Sequence, residues 1–443
     1  MAKRDSKAHG NPAQGQPVSG RNGRRYAWII GVIAIALVLL ALLLRFALQP
    51  ERVARLLLDR VGTALGLEIT ASGIGEYRLR GTPALVLRDV VAREPGAATP
   101  LLRAGRIYLS LPWSTIRAAG DKLEITRVEL DAPILDLPAL QHWLVTRPQR
   151  ETRIPTLTDG LHVTDGRIDN DDWRIDGIKV DVPRMAPGQP LTARISGRYM
   201  DPPTAIPFDF AVALTRPDND SGLGLVGRMT IQRDSWRMPA HVRLSGPLHL
   251  GDDDLRIQPA RLAMSAQYES GEDPDTTMLP FALGLSGPLH FDDATWTLAP
   301  VGVALRSRGP SLPDLDARGA LALGRRLVLQ LDGTLAAWPA AWPTLPPPLG
   351  DSESSLPFAL HYLDKPDFSG TTTLRLHRDA TRFDARFHAF DVTAWIDGRE
   401  QASPLPPLDG HVTAPSLEVA GAQLQGVEIS IDDPALPNLD QDR

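Results

Sequence analysis

Leu123-Glu-Ile-Thr-Arg-Val-Glu-Leu-Asp-Ala-Pro133 is the stretch that decides the fold. Its apolar residues come in two pairs, Leu123 with Ile125 and Val128 with Leu130. Within each pair the spacing is two, as a half-buried strand requires. Between the pairs the parity flips, and a straight strand would send Leu123 and Val128 to opposite faces. A one-residue bulge or bend near Thr126-Arg127 returns all four to one face. The same grammar recurs at Leu85, Leu87, Val90 and Ala92, at Trp173, Ile175, Ile178 and Val180, and at Leu255, Ile257, Ala260 and Leu262. It returns at Trp296, Leu298, Val301 and Val303, and at Ala422, Leu424, Val427 and Ile429. The intervening pairs Asp176-Gly177, Gln258-Pro259, Ala299-Pro300 and Gln425-Gly426 suit a break in a ladder, because Pro cannot donate and Gly tolerates unusual dihedrals. The chain therefore reads as mainly β, a long one-faced sheet built from a loosely repeated strand unit.

Composition agrees. Forty Pro and 37 Gly in 443 residues favour short strands and turns over long helices. No Cys is present, so neither a disulfide framework nor a thiolate metal site is available. The net charge of -6 hides an asymmetry. Residues 1–25 carry Lys3, Arg4, Lys7, Arg21, Arg24 and Arg25 against Asp5 alone, so the rest of the chain is net acidic. An acidic body argues against a nucleic-acid partner.

Residues 1–25 lack periodicity and read as a disordered basic tail. Tyr26 to Leu44 contains no charge, and the apolar run continues past Arg45 to Leu48. At ~1.5 Å per residue it spans a bilayer core. Residues 26–48 are thus expected to form a transmembrane helix, with Tyr26 and Trp28 as interfacial anchors at the basic end and Leu44 near the other. The positive-inside rule keeps the tail in the cytoplasm. A cleaved signal peptide fits less well, because the run exceeds the ~7–15 residues of a signal core. Residues 49–66 then show apolar positions at spacings of three and four, from Val53 to Leu65, between Pro50 and Gly66. That pattern predicts an amphipathic juxtamembrane helix, lying on the bilayer or over the open end of the sheet.

Strands are expected at 67–71, 77–80, 85–92, 106–111 and 123–136, with a short helix over 138–144. The order of features here resembles the AsmA-like family (AsmA and TamB type) of Gram-negative envelope proteins. The resemblance rests on an anchor, an amphipathic helix ending in Leu65-Gly66, Pro83-Ala-Leu-Val-Leu-Arg-Asp-Val90, Leu111-Pro-Trp-Ser114 and Leu123–Pro133. It is best over residues 26–145, so residues 67–145 form an N-terminal AsmA-like module and 146–443 a β-repeat region. The resemblance implies a single-pass inner-membrane protein with its bulk in the periplasm. It implies an elongated, curled sheet that forms an open groove for the acyl chains of phospholipid or another lipid, contributing to lipid transport and outer-membrane homeostasis. The candidate groove residues near the entrance are Leu85, Leu87, Ile107, Leu109, Leu111, Leu123, Ile125, Val128 and Leu130.

Past residue 157 strands are expected throughout, including one pair over 321–335 with a turn at Asp332-Gly333 and another over 383–396. Leu244-Ser-Gly-Pro-Leu-His-Leu250 and Leu285-Ser-Gly-Pro-Leu-His-Phe291 are 41 residues apart, the period of a repeat architecture. At about 15 residues per strand and turn, about 25 strands fit, and at ~4.8 Å each one sheet would reach on the order of 120 Å. The proline loop Trp338–Pro348 either splits that sheet or threads across its face.

No catalytic constellation stands out. Gly222-Leu-Gly-Leu-Val-Gly227 matches a dinucleotide-binding glycine pattern but runs into a strand, where that motif needs a helix. Asp169–Asp172 and Asp252–Asp254 lack the spacing and Glu of a calcium loop and read as acidic turns. His249 and His290 hold equivalent repeat positions, as polar-face residues would. No cofactor, metal site or catalytic residue is expected, and a hydrolase is the weakest of three readings. From the residues alone, ordinary sheet packing explains one apolar face; the resemblance favours a lipid groove. The alternative is an envelope scaffold or secretion-apparatus component that pairs with a periplasmic or outer-membrane protein through its sheet edges.

Overall fold

The structure, a computed structural model, describes residues 66–78, 81–117, 124–146, 155–251, 254–271, 277–342, 345, 349–350, 354–397, 407–419, 422–433 and 436. The tail, span and amphipathic helix expected over 1–65, with Tyr26, Trp28 and Leu44, lie outside the described residues, as does Leu123. Among the described residues no helix is long and apolar enough to cross a membrane.

The chain is mainly β, and one sheet of 21 strands carries it without closing on itself. The first strand is split. β1 (Glu68–Thr70) and β2 (Gly73–Arg78) lie along the same edge of β3 (Ala84–Arg93). β4 (Leu102–Ser110) joins the other edge, then comes the five-residue helix α1 (Trp113–Arg117). β5 (Glu124–Ile125) leaves the main sheet and pairs in parallel with β7 (Thr156–Leu157). β6 (Arg127–Asp136) returns beside β4, and α2 (Leu137–Thr146) carries the chain across. β8 (Leu161–Asp169) then lies parallel to β6.

Beyond that junction each strand pairs antiparallel with its sequence neighbours. The run is β9 (Arg174–Val182), β10 (Leu191–Asp201), β11 (Thr204–Leu214), β12 (Asp220–Arg233), β13 (Trp236–Leu250), β14 (Leu255–Ser270), β15 (Thr277–Asp292) and β16 (Thr295–Ser307). It continues through β17 (Leu315–Leu323), β18 (Leu327–Leu335), β19 (Leu356–Asp364), β20 (Thr371–Arg378), β21 (Thr381–His388), α3 (Ala389–Asp397), β22 (Asp409–Val419) and β23 (Ala422–Ile431). β14 and β15 reach 16 residues each, so fewer strands use the same chain than the sequence spacing implied.

The deciding stretch breaks where its parity demanded. Thr126 separates β5 from β6, its N–H donating to the Ser110 carbonyl at 2.9 Å. Ile125 and Val128, three apart, are both buried, at 0% and 1% exposure. A second break follows at Ala132, whose φ is +47°. It lies in a row across the sheet with Asp89 (φ +48°) and Asp165 (φ +53°), an unusual conformation for residues with a Cβ. Gly177 (φ +60°) breaks β9 at the expected Asp176-Gly177 pair. β14 and β16 each carry one extra residue, at the cis bonds Gln258-Pro259 and Ala299-Pro300. The 41-residue repeat is now explained. Gly246 in β13 and Gly287 in β15 each pass so close to the Pro259 and Pro300 carbonyls that a Cβ would overlap them.

Two expectations are corrected. Asp332-Gly333 is not a turn but lies inside β18, opposite Arg318 and Ala317. A Cβ on Gly333 would strike the Asp316 carbonyl and Ala317, so this glycine serves close strand approach. The turn is instead Gly324–Arg326, where the Gly324 N–H donates to the Arg326 carbonyl at 3.0 Å. Residues 389–396 form helix rather than strand, although Phe390, Val392, Ala394 and Ile396 alternate in sequence; Asp391 in the first turn suits a helix N-terminus. Of the two alternatives for the proline loop, splitting the sheet is removed, because Leu335 pairs with Leu356 across it.

Candidate functional site

Alternation along the strands gives the sheet one apolar face from β3 to β23, and the structure divides that face into three stretches. The first is shut. Leu137, Leu140 and Trp143 of α2 are each 2% exposed and pack with Leu157, Leu161 and Met185 onto the faces of β3, β4 and β6. Most of the sequence-predicted groove residues are in this stretch. Leu87, Ile107, Leu109, Leu111, Ile125 and Val128 are buried members of one core cluster, with Leu85 and Leu130 half-buried against it. The structure brings these eight together as packed core, so substituting them tests folding before binding.

The second stretch, over β11 to β15, is open. Registers place Phe208 and Phe210 beside Met229 and Gly227, and those beside Ala240 and Val242. Met264 and Ala266 follow on β14, then Leu283 and Phe281 on β15. Toward one end of these strands Leu248, Ile257 and Ala260 are buried in a packed cluster and Phe291 is buried as well, whereas toward the other only the small Ala240, Val242 and Ala266 are buried. The larger Phe210, Leu225, Met229, Met238, Leu262, Met264 and Phe281 around them are half-buried. Small side chains buried among half-buried large ones differ from a filled core, where long side chains reach across to a covering layer. Three of the chain's seven Met line this bay. Met is flexible and polarisable, and fits surfaces that accept varied apolar partners. Away from the strand ends, the inward positions of β11 to β15 hold no charged residue. The sequence-predicted residues include none in this bay; its signal was the clustering of Met and Phe on alternate positions of 208–281.

The third stretch is covered by the chain itself. From the loop between β18 and β19, Leu349 is 1% exposed and packs with Trp338 and Leu345 on Leu298, Val301, Val303, Leu335, Leu356 and Phe358. The face reopens at the last strand, where Leu424 and Ile429 of β23 are 47% and 40% exposed.

The opposite face is polar and laced with ion pairs. Arg106 donates to Asp131 at 2.8 Å and to Glu129 at 3.0 Å, and the Asp131 hydrogen bond leads the causes that raise its pKa. Arg167 is raised likewise by its hydrogen bond to Asp169. His249 meets Asp220 at 2.6 Å, and His290 lies 3.4 Å from Asp254, which also pairs with Arg256. Both histidines thus serve cross-strand contacts on the polar face. Gly222–Gly227 runs straight through β12, without the strand-to-helix turn a dinucleotide needs. Among the described residues no group of His, Asp or Glu is arranged to hold a metal ion.

The site is therefore an uncharged, half-covered apolar sheet face between two packed ends, with no chemistry-bearing group on it. No protein-family model matches the chain, and no curated protein or solved structure matches it either.

Proposed function

We propose that the chain is a non-enzymatic, inner-membrane-anchored periplasmic protein that holds phospholipid acyl chains along its apolar sheet face, contributing to lipid transport and outer-membrane homeostasis. The single observation that carries the proposal is the open bay on β11 to β15. An exposed apolar patch of this extent needs an occupant. About five strands at ~4.8 Å give the bay a width of roughly 24 Å, enough for one leaflet's acyl chain, about 15 Å when packed in a bilayer. The curled sheet then acts as a groove. Acyl chains lie on Met and Phe side chains while head groups stay in water, and movement along the groove is passive. An anchor over 26–48 with its tail in the cytoplasm would set the first strands beside the periplasmic leaflet of the inner membrane.

The test is native mass spectrometry with lipid extraction on the full chain expressed in a Gram-negative host. Bound phospholipid that falls at least tenfold in Met264→Asp, with the fold retained, supports the reading. A folded, lipid-free wild-type protein removes it. One observation favours a second reading, that of a scaffold: β23 ends the sheet with an unpaired edge among the described residues and exposes Leu424 and Ile429. Stoichiometric co-purification of a protein without lipid would move that reading to first place.

A further inference from the structure

The apolar bay on β11 to β15 has two unlike ends. Its inward positions can be followed along each strand from the registers, with Met229, Met238, Ala266 and Phe281 as fixed points. Toward one end they stay apolar to the tip, where Leu214, Leu223, Leu250 and Leu255 pack on the buried Leu248 and Ile257. Phe291 closes that end, 2% exposed and with its ring 4.7 Å from that of Trp296. Toward the other end every strand changes character. Ile206 gives way to Thr204 on β11, Ile231 to Arg233 on β12 and Leu279 to Thr277 on β15. On the same face β13 begins at Trp236, and β14 passes through Tyr268 to Ser270.

The polar end is layered. Trp236 and Tyr268 are half-buried, and their ring centroids lie 5.5 Å apart, just beyond Met238 and Ala266. Arg233 stands opposite Trp236 in the ladder and is exposed. It is the one charged residue among the inward positions of β11 to β15. Among the described residues its guanidinium, the Tyr268 hydroxyl and the Trp236 indole N–H have no hydrogen-bond partner. Arg237, on the polar face of the same hairpin, is by contrast paired with Glu269. An apolar floor, then amphipathic rings, then polar and cationic tips is the profile of a bilayer leaflet from its chains to its head groups. The planar fork of a guanidinium suits phosphate oxygens. From Leu225 to Ile231 the floor runs about 20 Å at ~3.4 Å per residue, room for an acyl chain laid along the strands below the rings.

We propose that the β12–β13 hairpin end of the bay is a head-group site for phosphate, so that a phospholipid binds in one orientation. Its phosphate sits on Arg233, its glycerol level lies against Trp236 and Tyr268, and its acyl chains run along the strands toward Val242 and Leu262. The inference rests on the acyl-chain reading above and adds to it the ligand's polar chemistry and its direction. A neutral diacylglycerol fills the floor alone, whereas a phospholipid uses both floor and rim. Bound lipids then lie across the sheet, with their heads along a single rim.

The experiment uses the full chain in nonionic amphipol and two probes with the same fluorescent acyl chain, a phosphatidylethanolamine and a diacylglycerol. The wild type is expected to hold the phospholipid about tenfold more tightly, the worth of one hydrogen bond to a charged group. Arg233→Gln should abolish that preference and leave diacylglycerol binding as it was. Equal binding of the two probes by the wild type, or a preference that survives Arg233→Gln, overturns the head-group site and leaves the acyl-chain reading standing. Binding of neither probe overturns both. Orientation is read in the wild type with phosphatidylethanolamines that carry a photoreactive diazirine on the head group or at the acyl terminus. Head-group label is expected on peptides covering residues 231–238 and acyl-terminal label on those covering 242–248. The reverse order, or the same distribution from both probes, overturns the single orientation.

Discussion

Ile125→Ala and Met264→Ala separate the shut end of the apolar face from its open bay. Ile125 is fully buried under Leu157 and α2, so the truncation leaves a void that rigid neighbours cannot fill. The cost is about 3 kcal/mol, the middle of the range for a buried Ile→Ala. Met264 is half-buried over Val242 with one side open. It loses roughly half of a buried side chain's transfer free energy and leaves no enclosed cavity, so about 1 kcal/mol. A long sheet of nearest-neighbour strands does not unfold as one unit, so a single denaturation midpoint is the wrong observable. Hydrogen exchange of the full chain, read by mass spectrometry, is the right one. Peptides covering β4 and β6 in Ile125→Ala should open roughly a hundredfold more readily, and those covering β13 and β14 in Met264→Ala about fivefold. Lipid content should move the other way, unchanged in Ile125→Ala chains that stay folded and reduced in Met264→Ala. Equal destabilisation by the two substitutions would mean that the bay is packed as tightly as the end, and the reasoning that makes it a binding face would fail.

Gly287→Val should destabilise β15 and β16 by about 1–3 kcal/mol, because its Cβ would meet the Pro300 carbonyl; unchanged exchange over those strands would refute the close approach. Ile429→Lys should leave stability within about 0.5 kcal/mol and, where the β23 edge mediates association, lower concentration-dependent self-association in sedimentation velocity. Asp367, on the exposed loop after β19, is held below the usual carboxylate range by hydrogen bonds from Ser369, side chain first. A depressed folded pKa favours the loop's ordered form above the unfolded value, and that contribution is lost as pH falls through the folded value. A carboxyl carbon titration should therefore show Asp367 ionising below the usual carboxylate range, and Ser369→Ala should return it toward that range.

The strand units were legible because parity is a local property. The flip between Ile125 and Val128 could be read from spacing alone, and so could the interruptions at Asp176-Gly177, Gln258-Pro259 and Ala299-Pro300. What spacing does not carry is which layer covers a face. Leu109 and Met264 alternate in the same way, yet one lies under α2 and the other faces open space, since that difference is set by elements tens of residues away. Asp332-Gly333 misled for a related reason. A glycine needed for a turn and a glycine needed for close strand approach have the same neighbours in sequence, and only the partner strand tells them apart. The loop between β18 and β19 was legible as a proline-rich insertion. Part of its seat is Arg378 at the end of β20, which donates to the Leu349 and Ser354 carbonyls and which nothing near it in sequence marks for that role.

The 41-residue repeat spans two strands, β13 with β14 and then β15 with β16. Two is the smallest increment by which such a sheet can grow. One added strand would exchange the two rims for everything downstream and leave each later turn on the wrong side. An added hairpin keeps every rim, every apolar position and the Gly–Pro contact in phase, and lengthens the sheet by about 10 Å. Reach is therefore quantised. Duplication or deletion of one hairpin changes the length of the sheet while leaving both ends intact, without redesigning a single junction.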